Sequence, residues 1–466
     1  METFGRSVFW SNALASRPAS PAFEGRPFFC PTFLWASKEK WERAKTSWIT
    51  SLCSILLLAS LSHADVKILY TGDFIGTLKV CGCPGAPAGG MVDVASAVKA
   101  ERAGGGDVLL VDVGNFMPYQ QAIRADYAAR LMGGMRYDAV NVGERELAEG
   151  VARVDSLARA YALPLISASV LRADTKAPVF KPYIVRAVGG VKVGVIGVTS
   201  PDVFALVPES QSKALAFAGL EESLKRWLPE AQRQADLIVL LGQVSEEEAL
   251  KLKEAYAGID VVVRGVRDIE RGEKQDGMRV ARATRYGTGL GVLSVKVAKG
   301  GVTGVEDRKV TFAKGAMADI EFQRVYEDYV ARMAEEANRA SAKRAQVAPL
   351  PDAETCASCH ETQVAQWRET PHAHAWETVV KDGRTKDPEC ITCHTTRYGE
   401  RGGFVSAEAT PGLAGVGCLS CHRISEGHPN DTTEAPEITP QVCVSCHDPK
   451  NSPAFKYEAY LPKVKH

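Results

Sequence analysis

The chain has 466 residues, of which 45% are hydrophobic and 24% charged, and its 56 basic residues balance its 56 acidic ones. That length corresponds to about two to three domains, and a neutral chain with no clustered basic excess excludes a nucleic-acid footprint. The composition is otherwise that of an ordinary globular protein, except that eight of the twelve cysteines fall in the last quarter.

Residues 1–64 read as an upstream extension followed by a signal peptide. Residues 1–34 show no periodicity. Lys38, Lys40, Arg43 and Lys45 then precede an apolar run of 14 residues from Trp48 to Leu61, and Ser62-His63-Ala64 places small residues at the two positions that specify cleavage. The run falls short of the roughly 20 residues a membrane span needs, so no stable span is expected after cleavage near Ala64. No cysteine follows it closely, which argues against a lipid anchor. The mature chain is expected to begin at Asp65 and to be periplasmic.

Residues 65–312 alternate short apolar runs with amphipathic stretches. Runs at 66–70, 108–111, 139–142, 237–241 and 259–263 have the length and composition of buried strands, and 146–161 and 220–234 are helical candidates; the alternation predicts an α/β domain. Residues 278–312 read as several strands joined by glycine-rich turns, with Gly300-Gly301 the clearest hairpin signal. Ile320, Phe322, Val325, Tyr326, Tyr329, Val330 and Met333 recur at three- and four-residue steps, which predicts one helix with an apolar stripe. Within a connecting segment at 313–350, this helix is expected to run to about residue 345 and pack on the first domain. Ala348-Pro349-Leu350-Pro351 stops it.

Residues 351–466 contain one pattern four times: Cys356-Ala357-Ser358-Cys359-His360, Cys390-Ile391-Thr392-Cys393-His394, Cys418-Leu419-Ser420-Cys421-His422 and Cys443-Val444-Ser445-Cys446-His447. C-x-x-C-H is the attachment sequence of c-type haem: two thiols form thioethers to the porphyrin and the adjacent histidine ligates iron from one face. Zinc pairs or disulfide loops do not require a histidine after every second cysteine. Four covalently attached haems c are expected, with His360, His394, His422 and His447 as proximal ligands. Thioether formation in bacteria is extracytoplasmic, in agreement with the signal peptide. At about 29 residues per haem the segment cannot build an ordinary core, so the porphyrins must supply apolar volume and the haem-free segment should be largely unfolded.

Several segments of 65–312 resemble the 5′-nucleotidase branch of the metallophosphoesterases. Ile68-Leu69-Tyr70-Thr71-Gly72-Asp73 is similar to that family's opening strand and metal-binding aspartate. Leu110-Val111-Asp112-Val113-Gly114-Asn115 is similar to its second strand, and Gly143-Glu144-Arg145-Glu146 to its glycine-asparagine-histidine-acid segment. Asp260 to Arg267 resembles the strand before its last histidine pair. The resemblance implies a layered α/β fold and two metal ions that generate a nucleophilic hydroxide. The ligand positions, however, carry Ile75, Asn115, Glu144, Arg145, Gln243 or its neighbour, Val266 and Asp268, and no histidine occurs between Ala64 and Cys359. Of the matched ligands only Asp73 remains, so phosphoesterase activity is not expected. Cys81-Gly82-Cys83 stands at the mouth of the former site as a strained disulfide, a pair of free thiols, or a redox or metal-binding pair facing the haem region.

Residues 352–466 resemble the tetrahaem cytochromes related to the electron acceptor of hydroxylamine oxidoreductase. Gln366-Trp367-Arg368-Glu369-Thr370-Pro371-His372 is similar to that family's tryptophan-led segment, whose histidine is a distal iron ligand. The family's glycine-proline after the third motif is Arg423-Ile424 here, a departure over the third haem. By this resemblance His372, His428 and His466 are distal ligands. His374 is unmatched and, on a helix, would lie about 200° from His372. One haem is therefore expected to be five-coordinate, and the resemblance implies that it is the one on Cys390 and Cys393, with His394 alone. The implied function is electron transfer between a donor and an acceptor redox protein, with the first domain a non-catalytic scaffold. The alternatives are a haem-based enzyme reducing a small nitrogen compound at the open iron, and a hydrolase fused to an electron carrier.

Overall fold

A computed structural model describes residues 64–80, 87–265, 280–298, 301–344, 347–425, 427–430 and 438–466. The expected signal peptide, Cys81, Cys83, Val266, Asp268 and Gly300 lie outside them. The strands, in chain order, are β1 (Ala64–Thr71), β2 (Val108–Asp112), β3 (Ala139–Asn141), β4 (Leu165–Ile166), β5 (Val170–Arg172), β6 (Tyr183–Val188) and β7 (Val191–Thr199). Then follow β8 (Leu215–Phe217), β9 (Leu237–Gln243), β10 (Val261–Arg264), β11 (Val280–Arg282), β12 (Gly289–Ala298) and β13 (Gly301–Thr311).

Among the described residues the first region has two main sheets, in the orders β13-β12-β1-β2-β3-β4 and β11-β10-β9-β7-β6, and a two-stranded sheet of β5 and β8. The central neighbours β1, β2, β3 and β4 are parallel, as are β7, β9, β10 and β11. Strand periodicity explains the layering. Val66, Ile68 and Tyr70 of β1 share one apolar cluster with Leu237, Val239 and Leu241 of β9. Intervening Leu69 instead meets Val94 and Met132 of the Met91–Ala103 and Ala122–Met135 helices, while Ile238 and Leu240 meet Leu224 and Leu252 of the helices Leu220–Gln232 and Glu246–Ala255. Side chains that alternate faces at period two thus produce two sheets packed together with helices outside. This α/β layered fold is the one expected.

Three details differ from the sequence reading. The helix expected over 146–161 is two helices, Glu144–Leu147 and Val151–Tyr161. Gly150 lies between them at φ 88°, in the left-handed region that glycine reaches without penalty. The strands after residue 278 divide between the sheets: β11 extends the second in parallel, whereas β12 and β13 form an antiparallel hairpin on the first. The β6–β7 hairpin, with β6 at the edge of the second sheet, gave no separate signal.

The Ile320–Arg344 helix follows β13. Its Phe322, Tyr326 and Tyr329 are buried with Met132 and Met135 in the outer cluster of the first sheet. Short helices at Ala353–Ala357, Glu361–Arg368, Ala375–Lys381, Pro388–His394, Pro440–Val444 and Tyr457–Tyr460 make the remainder mainly α and loop-rich. Its own apolar cluster has only Val379, Cys390 and Ile391 as fully buried members, backed by Trp376 and Tyr398. No helix among the described residues is long and apolar enough to cross a membrane.

Candidate functional site

Each attachment pattern makes the same local turn. In the first, the amides of Cys359 and His360 both donate to the Cys356 carbonyl, at 3.2 and 2.9 Å. The third and fourth repeat this through the carbonyls of Cys418 and Cys443, and the second lies within the Pro388–His394 helix. One helical turn therefore puts two thiols on one side with the histidine directly after them, the spacing two vinyl groups and one iron require. None of these eight cysteines is in a disulfide. The motifs also approach one another in pairs: the thiols of Cys356 and Cys418 are within hydrogen-bonding reach, as are those of Cys393 and Cys446.

Tertiary folding brings a second imidazole to three of the four motif histidines. Ring centroids are 6.1 Å apart for His360 and His428, 6.2 Å for His372 and His447, and 5.6 Å for His422 and His466. Two metal–imidazole bonds of about 2.0–2.1 Å plus two ring half-widths of about 1.1 Å require roughly 6.3 Å; the first two separations match that span and the third is shorter than it. Burial, with a neighbouring imidazole, holds His372 and His422 below the ordinary histidine range, and burial does the same to His447. All three therefore favour the neutral form that binds metal.

His394 differs. Its Nδ1 lies 2.7 Å from the Ala375 carbonyl oxygen and 3.0 Å from Thr378 Oγ1. An Nδ1–H given to a carbonyl leaves Nε2 as the ligating nitrogen and fixes the ring. These partners come from another helix 16–19 residues upstream, and no sequence pattern marks them. No second imidazole faces this ring among the described residues. His374 is occupied elsewhere: Nδ1 is 3.0 Å from Glu377 Oε1 and Nε2 is 3.0 Å from the Arg368 carbonyl. Glu377 beside it raises its pKa; with acceptors at both nitrogens it is suited to be an imidazolium, which has no lone pair for a metal.

The second site is where the parallel strands of both sheets end, the usual place for a ligand in an open α/β fold. The loops after β1 and β2 are laced together, with Asp73 N on Gly114 O at 2.9 Å, Ile75 N on Asn115 O at 2.8 Å and Gly76 N on Phe116 O at 2.9 Å. Asp73, Ile75 and Asn115 all have positive φ, 51°, 52° and 63°, a cost that non-glycine residues bear mainly in functional loops. The geometry of a site survives, with different groups in it. Buried Asp73 accepts from Gln243 Nε2 at 3.0 Å and Asn115 Nδ2 at 3.3 Å, so two amides donate to the carboxylate. Gly265 permits this: a Cβ there would come within 2.8 Å of both the Gln243 amide and Asp73 Oδ2. Among the described residues, no group of three or more His, Cys, Asp or Glu side chains could hold a metal ion.

Glu146 has a structural role that the sequence reading passed over. Its carboxylate accepts from the backbone amides of Asn115, Phe116, Met117 and Gly143 at 2.8–3.2 Å, clamping the β2 loop to the start of the Glu144–Leu147 helix. Burial pushes it up to about 7 against those four donors. Neighbouring Asp112 is fully buried and pushed up to about 8 by burial, although Thr71 Oγ1 and Gly114 N donate to it.

The comparisons match the N-terminal and C-terminal parts of the chain to different proteins. The fold of the first region is that of the 5′-nucleotidase α/β proteins. It resembles the solved 5′-nucleotidase precursor of Thermus thermophilus, with a TM-score of 0.50 and 22% identity over 57% of this chain and 59% of that one. The sulfate thiohydrolase SoxB of the same organism gives 0.51 and 19% over 58% and 61%. The snake venom 5′-nucleotidase of Naja atra is 27% identical over 228 residues, 43% of this chain and 40% of that protein. Residues 355–423 match the family described as cytochrome c554 and c-prime. Cytochrome c-554 of Nitrosomonas europaea is 36% identical over 90 residues, 16% of this chain and 38% of that protein. The chain thus spans about two fifths of the length of these two curated relatives. It joins a 5′-nucleotidase-like region to a C-terminal region similar to cytochrome c554, whose family binds haem c covalently.

Proposed function

We propose that this protein is an exported tetrahaem c-type cytochrome that passes electrons between a donor and an acceptor redox protein. Its phosphoesterase-like region, 65–312, serves as a non-catalytic scaffold, 313–350 connects, and 351–466 carries the haems. The observation that carries the reading is the set of three imidazole pairs spaced for an iron, each combining one motif histidine with His372, His428 or His466. Haem supplies one-electron chemistry, and two imidazoles keep the iron six-coordinate in both oxidation states. The chain's task is to present neutral imidazoles and hold the thiols one turn apart. Donation of two amides to Asp73, together with the missing imidazoles, supports the absence of phosphoester hydrolysis.

One observation favours a second reading. The second face of His394 has no imidazole opposite it among the described residues, so an iron held there has an open position, and a small nitrogen compound could be bound and reduced at it. Intact mass of the secreted protein tests the main reading: the expected value is that of a chain from Asp65 with four haems, and three or fewer haems would contradict it. Binding of nitric oxide without turnover separates a carrier from a reductase.

A further inference from the structure

Three polar side-chain contacts that reach the haem-bearing region from the first region and the connecting helix converge on residues 384–389, the six residues before Cys390. Tyr326 OH donates to Asp387 Oδ2 at 2.6 Å. Arg384 Nη2 donates to Tyr326 OH at 2.5 Å and to Asp387 Oδ2 at 2.6 Å. Arg124 Nη2 forms an ion pair with Glu389 Oε1 at 3.0 Å while its Nε donates to Tyr329 OH at 3.1 Å. Lys450, three residues after the fourth motif, pairs with the other Glu389 oxygen at 3.3 Å.

The geometry ties this network to the second attachment helix. Asp387 is the N-cap of Pro388–His394, its Oδ1 accepting from Glu389 N at 3.0 Å, and the next residue after Glu389 is Cys390, itself buried. The side chains are largely desolvated: Asp387 is 1% exposed, Glu389 13%, and Arg124 and Arg384 19% each. Buried ion pairs add little stability over well-packed apolar residues, so adhesion alone does not account for a charged cluster here. The directional bond from Tyr326 to the cap does fix where that helix points, the Arg124 ion pair holds its first turn by charge, and together with Arg384 and Lys450 they leave three cations facing two carboxylates beside one attachment site.

We propose that Arg124 of the 5′-nucleotidase-like region and Tyr326 of the connecting helix are positioning residues for the second attachment helix, setting the orientation and ease of reduction of the haem bound through Cys390, Cys393 and His394. This rests on the electron-transfer reading above. Loss of the Arg124 cation leaves Glu389 less compensated; added negative charge disfavours an incoming electron, so the potential of that haem falls. Tyr326→Phe alters no charge and removes one oxygen, so it acts on orientation.

The test uses the full-length haem-loaded protein in spectropotentiometric titration and electron paramagnetic resonance. The second haem is identified as the midpoint that disappears in Cys390→Ser/Cys393→Ser protein. Arg124→Met is expected to lower that midpoint by about tenfold in the reduction equilibrium, about 59 mV for one electron, with the other three unmoved and Arg124→Lys restoring most of the shift. Tyr326→Phe is expected to change the resonance line shape of that haem alone. If the second haem is present and neither variant moves its midpoint or line shape, or if all midpoints shift together, the proposal is overturned while the electron-transfer reading stands. If wild-type protein carries no haem on the second motif, both fall.

Discussion

Substitution of His466 by alanine isolates one iron position. The residue lies at the chain end, exposed, and besides facing His422 its ring is 3.3 Å from the Val464 carbonyl. Little packing is lost, and an exposed substitution of this kind changes fold stability by about 0.5 kcal/mol or less. The consequence should therefore be confined to coordination. The 5.6 Å separation of the two rings is close to the roughly 6.3 Å that an iron with two imidazoles needs, and removal of one ring leaves His422 as the sole axial ligand. Wild-type protein should bind about one carbon monoxide per four ferrous haems, at the centre held by His394, and His466→Ala should bind about two. The oxidised high-spin fraction should rise from about a quarter to about a half, and added imidazole should reverse it. Carbon monoxide titration against haem content measured on the same sample decides the matter. A stoichiometry that stays at one in folded, four-haem variant protein would refute the pairing of His422 with His466. His374→Ala is the control and should leave the stoichiometry at one, because both nitrogens of His374 face other partners.

Three further outcomes can be checked. Asp112 has a folded pKa near 8 because of burial, against about 3.9 unfolded; its contribution to stability is complete below the unfolded value and is lost as pH rises toward 8. Denaturation midpoints should thus fall from pH 5 to pH 7, and Asp112→Asn should remove up to about 3 kcal/mol of that decline; an unchanged slope would contradict it. Elemental analysis should find iron without stoichiometric zinc or manganese, and Ile75→His, Arg145→His or Asn115→Asp should not create phosphatase activity with either metal added, since several ligands are missing together. Protein produced without haem attachment should lose residues 351–466 to limited proteolysis while the first region persists, because the haem region buries so few apolar residues of its own; equal resistance of both parts would argue against a haem-dependent fold.

The attachment turns were legible in the sequence because their chemistry is local: two thioethers and one ligand from the same turn require a contiguous pattern. Loss of the phosphoesterase ligands was legible for a similar reason, since imidazole is either present in residues 65–355 or not. The apolar stripe of the Ile320–Arg344 helix followed from its period, as did strands whose buried runs stand between helices. The partners of Asp73 were not legible. Gln243 lies 170 residues from Asp73, and only the convergence of strand ends from two sheets puts its amide on that carboxylate. The same holds for the iron positions. Nothing local in His428 or His466 specifies its partner, and resemblance could nominate them as ligands without saying which motif each faces. That pairing, like the contact of Tyr326 with Asp387 across 61 residues, depends on how the helices pack. Imidazole and carboxylate chemistry acts over a few ångströms in space, whereas sequence patterns report neighbours along the chain.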